Sequence, residues 1–213
     1  MLSEATVGAS MNRRFFLSAS MAAALTAFPA AAQKLSLEEL SAYLNGIRTA
    51  ETGFTQLNAD GSRSSGQIFI QRPNRMRFEY APPDEALVLA SSGQVAIFDD
   101  KSNQPPEQYP MRRTPLKLIL DRNIDLTRER MVIAHEEVGG ETIVTAQDPA
   151  EPQLGSIRLY FSADPIALRQ WVITDEVGSQ TTVVLDGLAT GGEYPTSLFS
   201  IRAEMERRGF DPG

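Results

Sequence analysis

From Gly53 onward the chain is written in short runs that alternate apolar and polar residues, among them "GFTQL", "GQIFIQ", "RMRFEYA", "ALVLA" and "QVAIF", separated by Gly, Ser, Asn and Pro clusters. A period of two puts successive side chains on opposite faces of a strand, and a helical pattern would not produce it. The pattern resumes later with "RMVIAH", "ETIVTAQ", "SIRLYFS", "LRQWVIT" and "TTVVLDG", and "ITDEVGSQT" reads as a hairpin around Gly178. Ten or so short strands set against two short helices predict one large antiparallel sheet. A sheet this wide twists and coils toward a barrel with a concave apolar face. Something must fill that concavity.

The two helices are candidates. "KLSLEELSAYLNGI" opens with Ser36 as N-cap and Glu39 three residues on, a capping box, and sets Leu37, Leu40, Leu44 and Ile47 on one helical face. The second follows a break in the strand pattern. "DDKSNQPPEQYPMRR", with prolines at 105, 106 and 110, predicts a long loop leading into "TPLKLILD", where Thr114 is the expected N-cap, Pro115 the first helical position, and Leu116, Ile119 and Leu120 one apolar side.

Along "RMRFEYA", Met76, Phe78 and Tyr80 share one face while Arg75, Arg77 and Glu79 share the other, and "LRQWVIT" sets Trp171 and Ile173 against Gln170 and Val172. The residues alone favour an ordinary core packed on the two helices. One detail resists that description. Between "FIQ" and "NRMRFEY" stands Arg72-Pro73, where an Asn-Gly pair would make a tighter hairpin. Proline removes a donor and holds Arg72 extended.

The N-terminus is different in kind. Arg13 and Arg14 precede "FFLSASMAAALTAF" and then "PAAAQ", the order of a cleavable export signal with small residues at Ala30 and Ala32. The apolar run carries Ser18, Ser20 and Thr26, stops at Pro29, and falls short of the roughly 20 residues a membrane span requires. Residues 1–32 are therefore expected to be an N-terminal extension and signal peptide, and 33–213 a single domain. "NRRFFL" also resembles a twin-arginine signal. Nothing before Met11 fits a signal, which makes Met11 an alternative start.

Without this segment, which holds Arg13, Arg14 and Glu4, the formal charge goes from −7 to −8. An acidic chain disfavours nucleic acid and anionic lipid, so Arg72, Arg75 and Arg77 read as local features. The chain has no cysteine, which excludes a disulfide framework, a thiolate metal site and an acylated N-terminal anchor.

Catalytic chemistry finds little footing. The only histidine, His135, lies in a strand-like run before Glu136 and Glu137, no G-x-S-x-G elbow exists, and a lone strand histidine is usually structural. "FDDKSN" lacks the alternating ligands of a calcium loop, so Asp99 and Asp100 read as solvated, and "HEEVGGE" reads as a hairpin turn, not a phosphate cradle. No cofactor or metal is implied.

Taken together, the signal peptide, "GFTQL", "GQIFIQRPNRMRFEY" followed by "PP", "SSGQVAIFDD", "TPLKLIL" and "ITDEVGSQTTVVL" resemble the outer-membrane lipoprotein carrier family, LolA, over most of residues 36–201. The resemblance implies a mainly β fold with short helices: an incomplete antiparallel β-barrel, or half-barrel, closed by a helical lid around a hydrophobic cavity. It implies a lid latch at Arg72, whose guanidinium would bond main-chain carbonyls of the lid helices. It also implies a lipid-binding cavity lined by Met76, Phe78, Tyr80, Trp171, Leu116 and Ile119.

The implied function is a non-enzymatic periplasmic chaperone of a Gram-negative bacterium, which carries acylated lipoproteins from the inner to the outer membrane. Its partners would be an inner-membrane lipoprotein-releasing transporter and an outer-membrane lipoprotein acceptor. The chaperone is expected to act as a monomer, without a cofactor and without nucleic acid. A lipid or lipoprotein sensor of the same fold, a hydrolase built around His135, and a structural envelope protein with a solid core are the alternatives. Two features depart from the family pattern: the charged tail "RAEMERRGFDPG" and the proline-rich lid region.

Overall fold

In the computed structural model, which describes residues 34–211, the alternating runs become twelve antiparallel strands of one sheet. The signal peptide and the alternative start lie outside the described residues. The first meander comprises β1 (Thr49–Leu57), β2 (Arg63–Gln71), β3 (Met76–Tyr80), β4 (Ala86–Ser91), β5 (Gln94–Asp99) and β6 (Glu107–Pro110). The second comprises β7 (Val132–Val138), β8 (Glu141–Gln147), β9 (Ser156–Ala163), β10 (Ile166–Thr174) and β11 (Gln180–Leu185). A two-residue strand, β12 (Ala189–Thr190), pairs with β1.

The two meanders join where β1 meets β11, with Phe54 opposite Leu185 and Leu57 opposite Thr182. The strand order β6-β5-β4-β3-β2-β1-β11-β10-β9-β8-β7 leaves β6 and β7 as edges that do not pair with each other. The sheet is therefore open, and the chain from 111 to 131 must cross from one edge to the other. Both edges are poor templates for further pairing. β6 is short and ends in Pro110, which has no N–H to donate, and β7 carries Glu136 and Glu137.

Local chemistry accounts for the turns. Gly139 and Gly140 both have positive φ between β7 and β8, as a type I′ hairpin demands, and Gly178 has φ 83° in the β10–β11 turn. Helix α1 (Leu37–Gly46) begins with the reciprocal Ser36–Glu39 capping box. The single histidine is an anchor, with His135 Nε2 2.8 Å from the Leu35 carbonyl oxygen, which ties the segment before α1 to β7.

The core lies between the concave face of the sheet and the elements that cover it. Leu40 and Leu44 of α1 and Leu118, Ile119 and Leu120 of α2 (Lys117–Leu120) are buried with Phe54, Ile68, Met76, Leu159, Phe161 and Trp171 of the strands. Tyr43 packs edge-on against Phe161 at 6.0 Å and accepts from the Leu168 N–H.

Two expectations need correction. The proline-rich 99–113 segment is not all loop, because it contains β6, an edge strand that tolerates proline. Thr114 does not cap α2. Its hydroxyl donates to the Met111 carbonyl, closing a 3₁₀ turn at Met111–Arg113, and the helix begins later and is only one turn long. Asp100, expected to be solvated, is exposed and pairs with Arg208, while the charged tail that departs from the family pattern is helical.

That tail forms α3 (Ile201–Arg207), N-capped by Ser200, whose hydroxyl accepts from the Ala203 N–H at 3.1 Å. Strands β4 and β5 are apolar on both faces. Val88 and Val95 face the main core, while Leu87, Leu89, Ala96 and Phe98 form a second cluster with Met205, joined by Ile201 and Phe210. Helix α3 thus seals the outer face.

Charges lock it there. Glu204, 6% exposed, accepts from Arg207 and, at 2.7 Å, from Arg208, and lies 3.7 Å from Arg77 of β3. Arg77 also pairs with Glu79 at 2.5 Å and donates to the Leu198 carbonyl. Arg208 pairs with Asp100 and stacks over the Phe98 ring at 4.9 Å.

Burial alone would push the Glu204 carboxyl up, but the hydrogen bonds from Arg207 and Arg208 and the nearby charge of Arg77 hold it below its ordinary value of 4.5. A carboxyl depressed by folding contributes stability that is fully present above its unfolded value and is lost as pH falls through its folded value. Glu204→Gln should therefore be less stable than the native chain at about pH 6, with the difference shrinking toward about pH 3. Thermal unfolding across that range measures it, and a pH-independent difference would assign the network no ionic role.

Candidate functional site

Arg72 leaves the end of β2 at the turn into β3. The Gln71 N–H donates to the Arg75 carbonyl across the turn, the Arg72–Pro73 peptide is cis, and Asn74, at φ 61°, donates its N–H to the Leu120 carbonyl at 2.9 Å. The Arg72 N–H donates to the Arg48 carbonyl at 2.8 Å. The turn is thus fastened to both the chain after α1 and the end of α2, and the Arg72 side chain is delivered between them.

Its guanidinium bridges the two. Nη1 donates to the Leu44 carbonyl and, at 3.3 Å, to the Ile47 carbonyl at the end of α1. Nε and Nη2 donate to the Asp121 carbonyl just past α2, at 3.2 and 2.6 Å, and Nη2 reaches Asn45 Oδ1 at 3.1 Å. A helix leaves its last carbonyls without intrahelical donors, and the planar fork of a guanidinium serves several at once. Burial, and then the charge of Arg48, lower the Arg72 pKa, while Asp121 opposes them. Burial raises the Asp121 carboxyl, against the opposing charge of Lys117.

Two further residues extend the bridge. Asn45 donates to the Ile124 carbonyl at 2.7 Å and accepts from the Ile124 N–H at 2.9 Å. Ser41 donates to the Leu37 carbonyl and accepts from the Leu126 N–H at 3.0 Å. Sequence reasoning missed both. Their signal was a polar pair four apart on α1, beside the apolar stripe.

Beneath the bridge the interior is nearly full. A void of about 20 Å³ lies among Leu44, Ile70, Met76, Ile119, Leu168 and Trp171, with Arg72 above it. The six residues expected to line a cavity divide as follows. Met76, Phe78, Ile119 and Trp171 are buried beneath the cover, and Tyr80 is half-buried beside them. Phe78 meets Trp171 edge-on at 6.4 Å and Phe54 at 5.5 Å, and Phe54 meets Tyr80 at 5.2 Å. Burial pushes the Tyr80 phenol up to about 12, against its hydrogen bond to Gln56.

Leu116, also buried, lines a different space: an open cleft of about 520 Å³, with Val88, Val95, Tyr109, Ile173 and Val177. That volume falls within the roughly 300–1,000 Å³ of ligand pockets. At the rim Arg113 pairs with Glu176 at 3.5 Å, both more than half exposed. Such a pair holds weakly, at about 0–1 kcal/mol. In place of the expected single cavity there is an open cleft at one end of the cover and a packed interior that α2 itself fills.

An open antiparallel half-barrel, with an apolar concave face covered by short helices whose ends one arginine bridges, defines a binding protein of the half-barrel class. Over residues 45–202 the sequence matches the family model "Outer membrane lipoprotein carrier protein LolA", and the chain belongs to that family. An outer-membrane lipoprotein carrier protein of Azotobacter vinelandii is 26% identical over 198 residues, covering 89% of this chain and 93% of its own. One from Legionella pneumophila (strain Paris) is 27% identical over 175 residues, covering 78% and 85%. A solved LolA superfamily protein from Nitrosomonas europaea aligns over 78% of this chain and 98% of its own, with 10% identity and a TM-score of 0.41.

Arg72→Leu removes the donors that the Leu44 and Asp121 carbonyls now use. Amide exchange at Ile124 and Leu126 should then accelerate by roughly ten- to a hundredfold, the factor for charge-assisted bonds of about 1.5–3 kcal/mol. Arg72→Lys should fall between, since the charge stays and the fork is lost. Unchanged exchange in Arg72→Leu would mean that packing alone holds the cover.

Proposed function

We propose that this protein is a periplasmic carrier that shields the acyl chains of lipoproteins during passage from the inner to the outer membrane. In this reading Arg72 is the lid latch, and Met76, Phe78, Tyr80, Leu116, Ile119 and Trp171 become the walls of the lipid cavity once the lid lifts. The observation that carries it is the placement of one guanidinium across the ends of both covering elements, above an otherwise apolar interior.

The energetics suit a shuttle. Exposing an acyl chain of about 15 methylenes to water would cost roughly 12 kcal/mol, at about 0.8 kcal/mol per CH₂. Loading exchanges the buried side chains of Leu118, Ile119 and Leu120 for methylenes of the cargo, an apolar-for-apolar replacement. The balance between holding and releasing then rests on a few hydrogen bonds, small enough for a partner to tip. An inner-membrane lipoprotein-releasing transporter would load the carrier and an outer-membrane lipoprotein acceptor would empty it, with the carrier acting as a monomer.

Export belongs to the same reading. Cleavage after Ala32 should leave a soluble protein beginning at Gln33, which an intact mass measures directly. A mature chain retaining Phe15 to Phe28 would be anchored and could not shuttle.

Mass spectrometry of protein purified from the periplasm should find acylated cargo. Arg72→Leu should retain it more tightly and pass it to acceptor membranes poorly, because acyl chains bind the open state and no latch has to be broken. Weaker retention with normal transfer would refute the latch, and material free of lipid under all conditions would refute the carrier.

A further inference from the structure

Trp171 is the only tryptophan in the chain, and it lies at the centre of β10, opposite Leu159 on one side and Val183 on the other. It is 1% exposed, and its Nε1 is the one buried side-chain nitrogen or oxygen among the described residues without a hydrogen-bond partner. A buried N–H with no acceptor is rare, because it forfeits its bonds to water and regains nothing. Phenylalanine would fill a purely structural position without that penalty.

The surroundings offer no remedy. Trp171 lines the void of about 20 Å³ beneath the cover, where the other side chains are aliphatic or thioether apart from Arg72. Arg72 is itself a donor, already engaged by carbonyls. A water would fit such a space by volume, but it needs two to four polar partners. Arg72 and Trp171 are the only polar side chains around it, and neither can accept. The unmet need is for an acceptor that arrives with apolar material.

An acyl chain is that material. It differs from an alkyl chain in ending on a carbonyl, which accepts and does not donate, and which loses its water when the chain is buried. We propose that the Trp171 indole N–H receives an acyl carbonyl of the bound lipid, so that the interior selects ester- or amide-linked chains over alkyl chains of the same length. The inference rests on the carrier reading above and assigns within it a specificity-determining donor. The donor's position is held by strand pairing on both sides and by the Phe78 edge contact, so it is ready when the cover lifts.

The test uses the protein as isolated from cells, ¹⁵N-labelled and freed of lipid, with two probes. One is a diacylglyceryl-cysteine peptide with ester linkages; the other is its dialkyl ether analogue of equal chain length. The ester probe should bind about fivefold more tightly, the factor for one neutral hydrogen bond. It alone should move the single indole ¹H–¹⁵N signal downfield. Trp171→Phe should bind both probes alike, close to the affinity of the native chain for the ether.

Equal affinity and an unmoved indole signal in the native chain would overturn the inference while leaving the carrier reading standing. A preference that survives in Trp171→Phe would place the donor elsewhere. Binding of neither probe would bring down the carrier reading and this inference together. The native-chain measurements decide the matter even if the variant folds poorly.

Discussion

The guanidinium of Arg72 is where three stretches of backbone that share no secondary structure are held together: the β2–β3 turn, the end of α1 and the end of α2. An open sheet with an apolar concave face cannot remain uncovered in water, and its strand order gives it no means of closing on itself. Closure has to come from the chain that crosses between β6 and β7, together with α1. Neither element is long enough to be stable alone, and α2 is a single turn. Packing gives them their place, and one residue with five donors gives that place a definite geometry.

The two faces of the sheet are covered by different physics. On the outside, α3 adds Met205 and Ile201 to the apolar residues of β4 and β5, and a cluster of buried and half-buried charges locks it down. Removing one partner of such a cluster strands a charge in a place poor in water, so the helix has no easily reached undocked state. On the inside, the polar fastening consists of hydrogen bonds to carbonyls, which water or another chain can replace. The outer wall and the inner cover thus differ in how costly their polar groups are to separate.

The closed interior holds almost no empty volume, and for a carrier that is an advantage. A permanent cavity of lipid size would forfeit packing throughout the life of the unloaded protein. Filling the space with the cover's own Leu118, Ile119 and Leu120 keeps the unloaded chain stable. The open cleft beside Leu116, with an exposed ion pair at its rim, is an apolar surface accessible without moving the cover.

Much of this was legible in order along the chain. Alternation announced the strands, the Ser36–Glu39 box announced α1, paired glycines announced the β7–β8 turn, and Arg72-Pro73 stood out as a costly choice for a hairpin. These are local matters, settled by the backbone preferences of a few adjacent residues. What was not legible depended on distant partners. The charges of the tail became a helix because β4 and β5 expose an apolar outer face to it, and Thr114 turned back to Met111 in place of capping α2. Asn45 and Ser41 acquired their roles from residues 79 and 85 positions away. The sequence by itself determined that there would be a wide apolar sheet and an arginine at its turn. Only the tertiary structure decided which carbonyls that arginine would meet, and that Trp171 would be left with none, because hydrogen-bond partners are assigned by packing and not by neighbourhood along the chain.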